Sequence, residues 1–106
     1  MTWGRNMAVK LKDIAITYNL GLNKQVGSKQ LFYGYSEIYG THIYISYNTI
    51  IAVKTSMQWY ITDEWFSRTT ANHKREVSKR ENCIITVSKE FFESTLQGLR
   101  FNKLIS

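Results

Sequence analysis

Five cations stand close together in "SRTTANHKREVSKR": Arg68, Lys74, Arg75, Lys79 and Arg80. Only one carboxylate, Glu76, falls among them. On a helix, Arg75 and Lys79 share one face, with His73 and Arg80 on another. Such a face suits a phosphate backbone, which is neutralised by side-chain cations and read for shape. Just ahead, Thr69 and Thr70 offer hydroxyls where a helix start also offers free amides. With Arg68 and Lys74 supplying charge and His73 nearby, that arrangement can hold an anion. The plainer accounts are a capped helix start, whose His73 makes one local bond, and a solvated basic face.

The aromatic residues offer a second kind of chemistry. Trp59, Tyr60, Trp65 and Phe66 alternate with Lys54 and Arg68, a pattern that could stack bases or simply fill a core. Tyr33, Tyr35, Tyr39, Tyr44 and Tyr47 are too many to bury together. Some are expected on an outer sheet face, where Tyr33, Tyr35, Tyr44, Trp59 and Trp65 would form a partner interface.

Other chemistries find little support. Asp63 and Glu64 are neighbours, so on a strand they point apart and cannot work as a carboxylate pair. His42 and His73 are far apart in sequence, and no ligand spacing suggests a metal. No glycine-rich phosphate loop occurs. Cys83, the sole cysteine, excludes an internal disulfide. In "NCIITV" it reads as a small buried residue with no base beside it. These features argue against an enzyme, and no cofactor is implied.

Elements must position these residues. With 106 residues, 43 % hydrophobic and 14 % aromatic, the chain has one domain's worth of core. Residues 1–13 are mixed and expected to be only partly ordered. Asp13 to Leu20 alternates as a strand would; a helix through Leu11, Ile14, Tyr18 and Leu22 is the rival. Asn19 to Gln30 reads as a loop. Gln30 to Gly40 and His42 to Asn48 alternate around "YGTH" and predict a hairpin, with Gly34 marking a bulge or close approach. Thr49 to Lys54 and Gln58 to Trp65 predict a second hairpin around "TSM", with Asn48 at the corner.

After Ser67 the alternation stops. Thr69 or Thr70 is expected to cap a helix from about Ala71 to residue 81. Cys83 to Val87 predicts a fifth strand or an extended edge. Ser88 caps a last helix over 89–97, whose apolar face is Phe91, Phe92, Thr95, Leu96 and Leu99, with Gly98 at its frayed end. The expected fold is α+β: an antiparallel meander of four or five strands, with the basic helix and a C-terminal amphipathic helix packed on one side.

The net charge of +6 favours polyanionic partners. The longest apolar-leaning run contains Thr, His, Ser and Asn and is too short to span a bilayer. The first residues lack a signal-peptide core. A soluble, intracellular protein that does not engage membranes is expected.

Several stretches together resemble a family of small uncharacterised bacteriophage and prophage proteins. The matching positions are Phe32, Tyr33 and Gly34; Ser46, Tyr47, Thr49, Ile51 and Ala52; Tyr60, Ile61 and Thr62; and Ser67, Thr69, Thr70 and His73. The likeness covers about residues 30–95. It departs at Tyr35, at Ala71 and over the first thirty residues. The resemblance implies phage origin, residence in the cytoplasm of a bacterial host and a shared fold, and it implies no chemistry. Two roles follow as expectations. One is a basic accessory protein binding nucleic acid or a nucleoprotein complex. The other is an inhibitor of a host protein, such as an anti-defence factor of the anti-CRISPR kind or a host-takeover factor, acting by direct protein contact.

Overall fold

The structure, a computed structural model, describes residues 24–27, 29–37 and 40–105. The expectations for residues 1–13 and for Asp13 to Leu20 lie outside the described residues. The described residues form a six-stranded sheet in sequential order: β1 (Lys24–Gln25), β2 (Leu31–Ser36), β3 (Thr41–Ser46), β4 (Thr49–Thr55), β5 (Gln58–Thr62) and β6 (Ile84–Val87). Among the described residues two helices, α1 (Arg68–Arg80) and α2 (Lys89–Ile105), complete an α+β fold. The short β1 falls inside a segment expected to be loop.

Strands β1 to β5 are antiparallel, as the paired hairpins predict. At the β4–β5 turn Ser56 and Met57 both have positive φ, 53° and 69°. That is the primed turn geometry whose twist matches two adjoining strands. The register slips between Tyr44 and Ile45: Tyr44 faces Ala52 while Ile45 faces Ile50. Ile51 is thus the extra residue of a bulge on β4. Gly34 is not the bulge; it pairs in register with Ile43.

Strand β6 departs from the meander. It runs parallel to β5, with Trp59 opposite Ile84 and Ile61 opposite Thr86. A parallel neighbour requires a crossover of a dozen or more residues, and α1 supplies it. Residues 59–87 therefore form a βαβ unit appended to an antiparallel sheet.

The helices lie on opposite faces, which corrects the one-sided packing expected from sequence. Val77 of α1 packs with Leu31, Tyr44, Ile51, Ala52, Trp59 and Ile61. Phe92 of α2 packs on the other face with Ile43, Ile45 and Val53, flanked by Leu96 and Leu99. The strands carry apolar residues on both faces because both are covered.

Helix α1 begins earlier than predicted. Ser67, in extended conformation, accepts a hydrogen bond from the Thr70 amide at 3.1 Å. Ser67 and not Thr69 or Thr70 is the cap, and this frees Thr70 to turn inward. Ser88 accepts from the Phe91 amide at the start of α2 as expected, and the helix continues past Gly98 to Ile105. Gly27 holds φ +61°, and a Cβ built there would strike the Glu76 carboxylate. This lets the chain after β1 approach α1 closely.

Candidate functional site

Helix α1 has two working stripes. Thr70, His73 and Val77 are buried, at the three- and four-residue spacing of one helix face. Ser46 Oγ lies 2.7 Å from His73 Nδ1 and 2.9 Å from Thr70 Oγ1. One hydroxyl can serve both partners, since it has one proton to give and two lone pairs. The Tyr47 ring stacks on His73 at 5.8 Å between centroids. Thr70 and His73 are thereby withdrawn from the anion site predicted for them: they fasten α1 to β3.

The adjacent stripe, Ala71, Lys74, Arg75, Ser78 and Lys79, faces out over β5 and β6. It lines a groove of about 410 Å³ floored by Ile61, Thr62 and Thr86. Among the described residues no carboxylate lines this groove. Arg75 and Lys79 are exposed and share one face, as the spacing predicts. The Arg75 guanidinium donates to Asn72 Oδ1, which steadies it one turn away.

Lys74 is different. Its ammonium donates to the carbonyls of Thr62 at 2.9 Å and Glu64 at 2.8 Å. Burial pulls its pKa below the ordinary lysine value, against the opposing pull of Asp63 and Glu64. Lys74 thus holds the 63–67 linker and has less to offer a ligand. Arg68 and Thr69 are exposed at the helix start, and Arg80 is exposed at the other end.

The predicted aromatic interface is mostly internal. Tyr44 and Trp59 are core residues and Tyr33 is half-buried. Of that set, Tyr35 and Trp65 reach the surface, Trp65 with 69 % of its area exposed. Strand pairing explains the inward turn. Tyr33 and Tyr44 are direct partners across β2 and β3, on the face that α1 covers. The Tyr44 hydroxyl donates to Glu81 Oε2 at 2.6 Å. Burial, then this bond, pushes the Tyr44 pKa up to about 12 even though Arg80 acts the other way. Tyr33 is also raised, by burial and then by Glu81. His42, bonded through Nδ1 to the Tyr33 hydroxyl, is lowered by burial and by Lys54, against Glu81.

Cys83 is a further correction. It is exposed, in the turn before β6, with φ +60°. Its carbonyl accepts from Gln58 Nε2 at 2.7 Å. The strand starts one residue later than expected and leaves the thiol outside.

Among the described residues no group of three or more His, Cys, Asp or Glu gathers to hold a metal ion. No described helix is long and apolar enough to cross a membrane.

Fold and site define a small α+β domain, with a mostly antiparallel sheet between two helices and a cationic groove beside the first. Residues 20–94 match the family of unknown function DUF8033, and the chain belongs to that family. No curated protein and no solved structure matches it.

Proposed function

We propose that this is a phage-encoded, non-enzymatic accessory protein that binds nucleic acid, alone or within a nucleoprotein complex, in the cytoplasm of a bacterial host. One observation carries the binding reading. Arg75 and Lys79, with Ser78 between them, line a groove that no described carboxylate enters. Neighbouring cations concentrate a polyanion and order its phosphates. Arg68 and Arg80 extend the cationic surface to the two ends of α1, and the exposed Thr69 adds a hydroxyl at the first of them. The phage origin rests on the sequence pattern from Phe32 to His73.

The alternative is an inhibitor docking on a host protein. Trp65, standing far out of the 63–67 linker, favours it, since exposed tryptophans anchor protein interfaces. The Tyr-rich face that reading needs is reduced by the burial of Tyr44 and Trp59.

A salt titration of binding to duplex and single-stranded oligonucleotides separates the two. The log–log slope should be near −0.9 per contacted phosphate on duplex and about −0.7 on single strands. Replacing Arg75 and Lys79 together with Gln should reduce its magnitude by about one to two units and leave the melting temperature unchanged. Binding that is flat in salt, or indifferent to the double substitution, would reject the groove as the contact. A host protein retained by that double variant and lost by Trp65→Ala would establish the alternative.

A further inference from the structure

Strand β6 ends the sheet. Among the described residues no strand lies beyond it, and β5 is its one neighbour. The Val87 carbonyl accepts from the Asp63 amide at 2.8 Å, and the Cys83 carbonyl accepts from Gln58 Nε2 at 2.7 Å. Both carbonyls therefore face β5. Backbone groups alternate in direction along a strand, so those of Ile85 face β5 as well, and the amides and carbonyls of Ile84 and Thr86 turn outward. Such an edge is a template for another strand unless a lysine, a proline or a bulge blunts it. "IITV" contains no lysine or proline, and it pairs with β5 without a slip in register. The opposite edge, β1, is only two residues long and offers little to pair with.

The side chains at this edge are apolar on the face that α2 covers. Ile85 stands opposite Tyr60 in register, and Tyr60 packs on the cluster around Phe92. Residues directly opposite each other share a face, so Ile85 lies on that side too. Phe91 sits 5.4 Å from Tyr60 between ring centroids. Ile85 is 47 % exposed and Phe91 49 %, so this apolar face runs uncovered to the rim of the sheet.

Charge at the two ends of β6 says what fits there. Arg80 and Glu81 precede the strand, and Lys89 and Glu90 follow it. A second β6 laid antiparallel, with Ile85 opposite the partner's Ile85, sets Ile84 opposite the partner's Thr86. These are the residues with outward groups, so both such pairs are of the hydrogen-bonded kind, and Ile85 takes the closer, non-hydrogen-bonded position between them. By the same count Glu81 comes toward the partner's Lys89, and Arg80 toward the partner's Glu90. Opposite charges meet at both ends. A parallel pairing would instead set Glu81 beside Glu81 and Lys89 beside Lys89. The strand complements itself in one direction, which favours a second copy of this chain over an unrelated peptide.

We propose that this protein forms a two-fold dimer by antiparallel pairing of β6 with β6, the two sheets joining into one. The contact is isologous and closes on itself, and the short β1 leaves no comparable edge for further growth. The two-fold axis stands perpendicular to the joined sheet, so both α1 helices fall on one face. Thr86 floors the groove beside each α1, so the two grooves approach each other across the junction. Their union into one longer cationic surface rests on the groove reading above; the dimer does not.

Sedimentation of the nuclease-treated full chain over a concentration series tests this. Two four-residue strands make a contact below the roughly 1,200 Å² of stable complexes. The dimer should be reversible, half-formed between about 10 and 500 μM. Ile85→Lys places like charges directly opposite each other and should leave only monomer, with an unchanged melting temperature in dilute solution, because the side chain is half exposed. Lys89→Glu, set against the partner's Glu81, should weaken the dimer several-fold. Cysteines read the register. In a Cys83→Ser background, Ile85→Cys should give a covalent dimer with oxidised glutathione, since a Cα separation of about 4.5 Å suits a disulfide. Thr86→Cys in the same background should not, because its two copies stand two residues out of step and more than about 7 Å apart. A chain still monomeric at about 1 mM, growth past the dimer, a dimer indifferent to Ile85→Lys or to Lys89→Glu, or a disulfide through Thr86→Cys and not Ile85→Cys overturns the proposal. Loss of nucleic-acid binding in the Arg75→Gln, Lys79→Gln variant tests the groove alone and should leave the dimer intact.

Discussion

Ser46 Oγ lies 2.7 Å from His73 Nδ1, joining the last residue of β3 to the middle of α1. Both are buried, and Thr70 Oγ1 sits 2.9 Å from the same hydroxyl. Three of the positions in the sequence pattern from Phe32 to His73 therefore meet in one polar cluster, with Tyr47 stacked against it. Their shared role is structural: they fix the helix that bears the basic groove, and they stand apart from the groove's own cations.

Removing the serine hydroxyl should show this. Ser46→Ala leaves Thr70 Oγ1 and His73 Nδ1 buried without their shared partner, a loss of about 1–3 kcal/mol. Thermal unfolding should register it as a lower midpoint. The salt slope of nucleic-acid binding should stay unchanged below that midpoint, because Arg75 and Lys79 are untouched. A variant with normal stability but lost binding would place Ser46 in the ligand site.

Stability should fall at both ends of the pH scale, through His42 on the acid side and through Tyr44, joined by Tyr33, on the alkaline side. His42 has its pKa lowered from 6.5, so the native state favours its neutral form. In the unfolded chain it protonates first as pH falls. The stability it contributes is complete above 6.5 and declines below it, toward the lowered native value. Tyr44 is the reverse case. Its pKa is raised from 10.0 to about 12, so its contribution is complete below 10.0 and is lost as pH climbs toward 12. Denaturant midpoints across pH check both. Tyr44→Phe should flatten the alkaline limb while lowering stability at neutral pH, since the bond to Glu81 goes with the hydroxyl. His42→Phe should weaken the acid limb. An unchanged alkaline limb in Tyr44→Phe would mean that Tyr44 ionises as freely in the native state as in the unfolded one.

The two hairpins and both helices were legible in the sequence because their signals are local: alternation, turn residues and Ser88 as a cap. Other features were harder to read. The parallel pairing of β6 depends on where the crossover lands, and nothing inside "IITV" encodes a direction. The Ser67 cap was hidden among three hydroxyl residues, and the choice among them followed the burial of Thr70 against Ser46. The two-faced core left a trace in "TIIAV", where apolar residues run on instead of alternating with polar ones. That pattern marks a sheet covered on both sides. The groove's Arg75 and Lys79 could be paired by helical spacing. Its floor, Ile61, Thr62 and Thr86, comes from strands on either side of the crossover and could not be assembled from spacing alone.

Cys83 should react with a thiol reagent in the native protein, without denaturant, since it is exposed. Its φ of +60° is the left-handed region, where glycine and asparagine are most at ease. Cys83→Gly and Cys83→Asn should fold with unchanged or slightly higher melting temperature. Protection of the native thiol, or a marked loss of stability in Cys83→Asn, would return it to the core.

Lys74 should separate from its basic neighbours when their roles are measured side by side. Its ammonium bridges the Thr62 and Glu64 carbonyls, holding the end of β5 against α1. Lys74→Met keeps the alkyl stem and leaves both carbonyls without that donor. Charged hydrogen bonds contribute about 1.5–3 kcal/mol when well shielded. The side chain is only partly buried, so solvent screening brings the expected loss nearer to about 1 kcal/mol. Lys79→Gln, on the exposed stripe, should cost almost nothing in stability. Binding should show the opposite order: Lys79→Gln reduces the salt slope by nearly one unit on duplex, and Lys74→Met leaves it almost unchanged. Hydrogen exchange of the amides of residues 63–67 supplies the independent readout, rising in Lys74→Met and not in Lys79→Gln. Should Lys74→Met instead reduce the slope as much as Lys79→Gln does, its ammonium must leave the carbonyls to meet phosphate, and the linker it releases would belong to the binding surface.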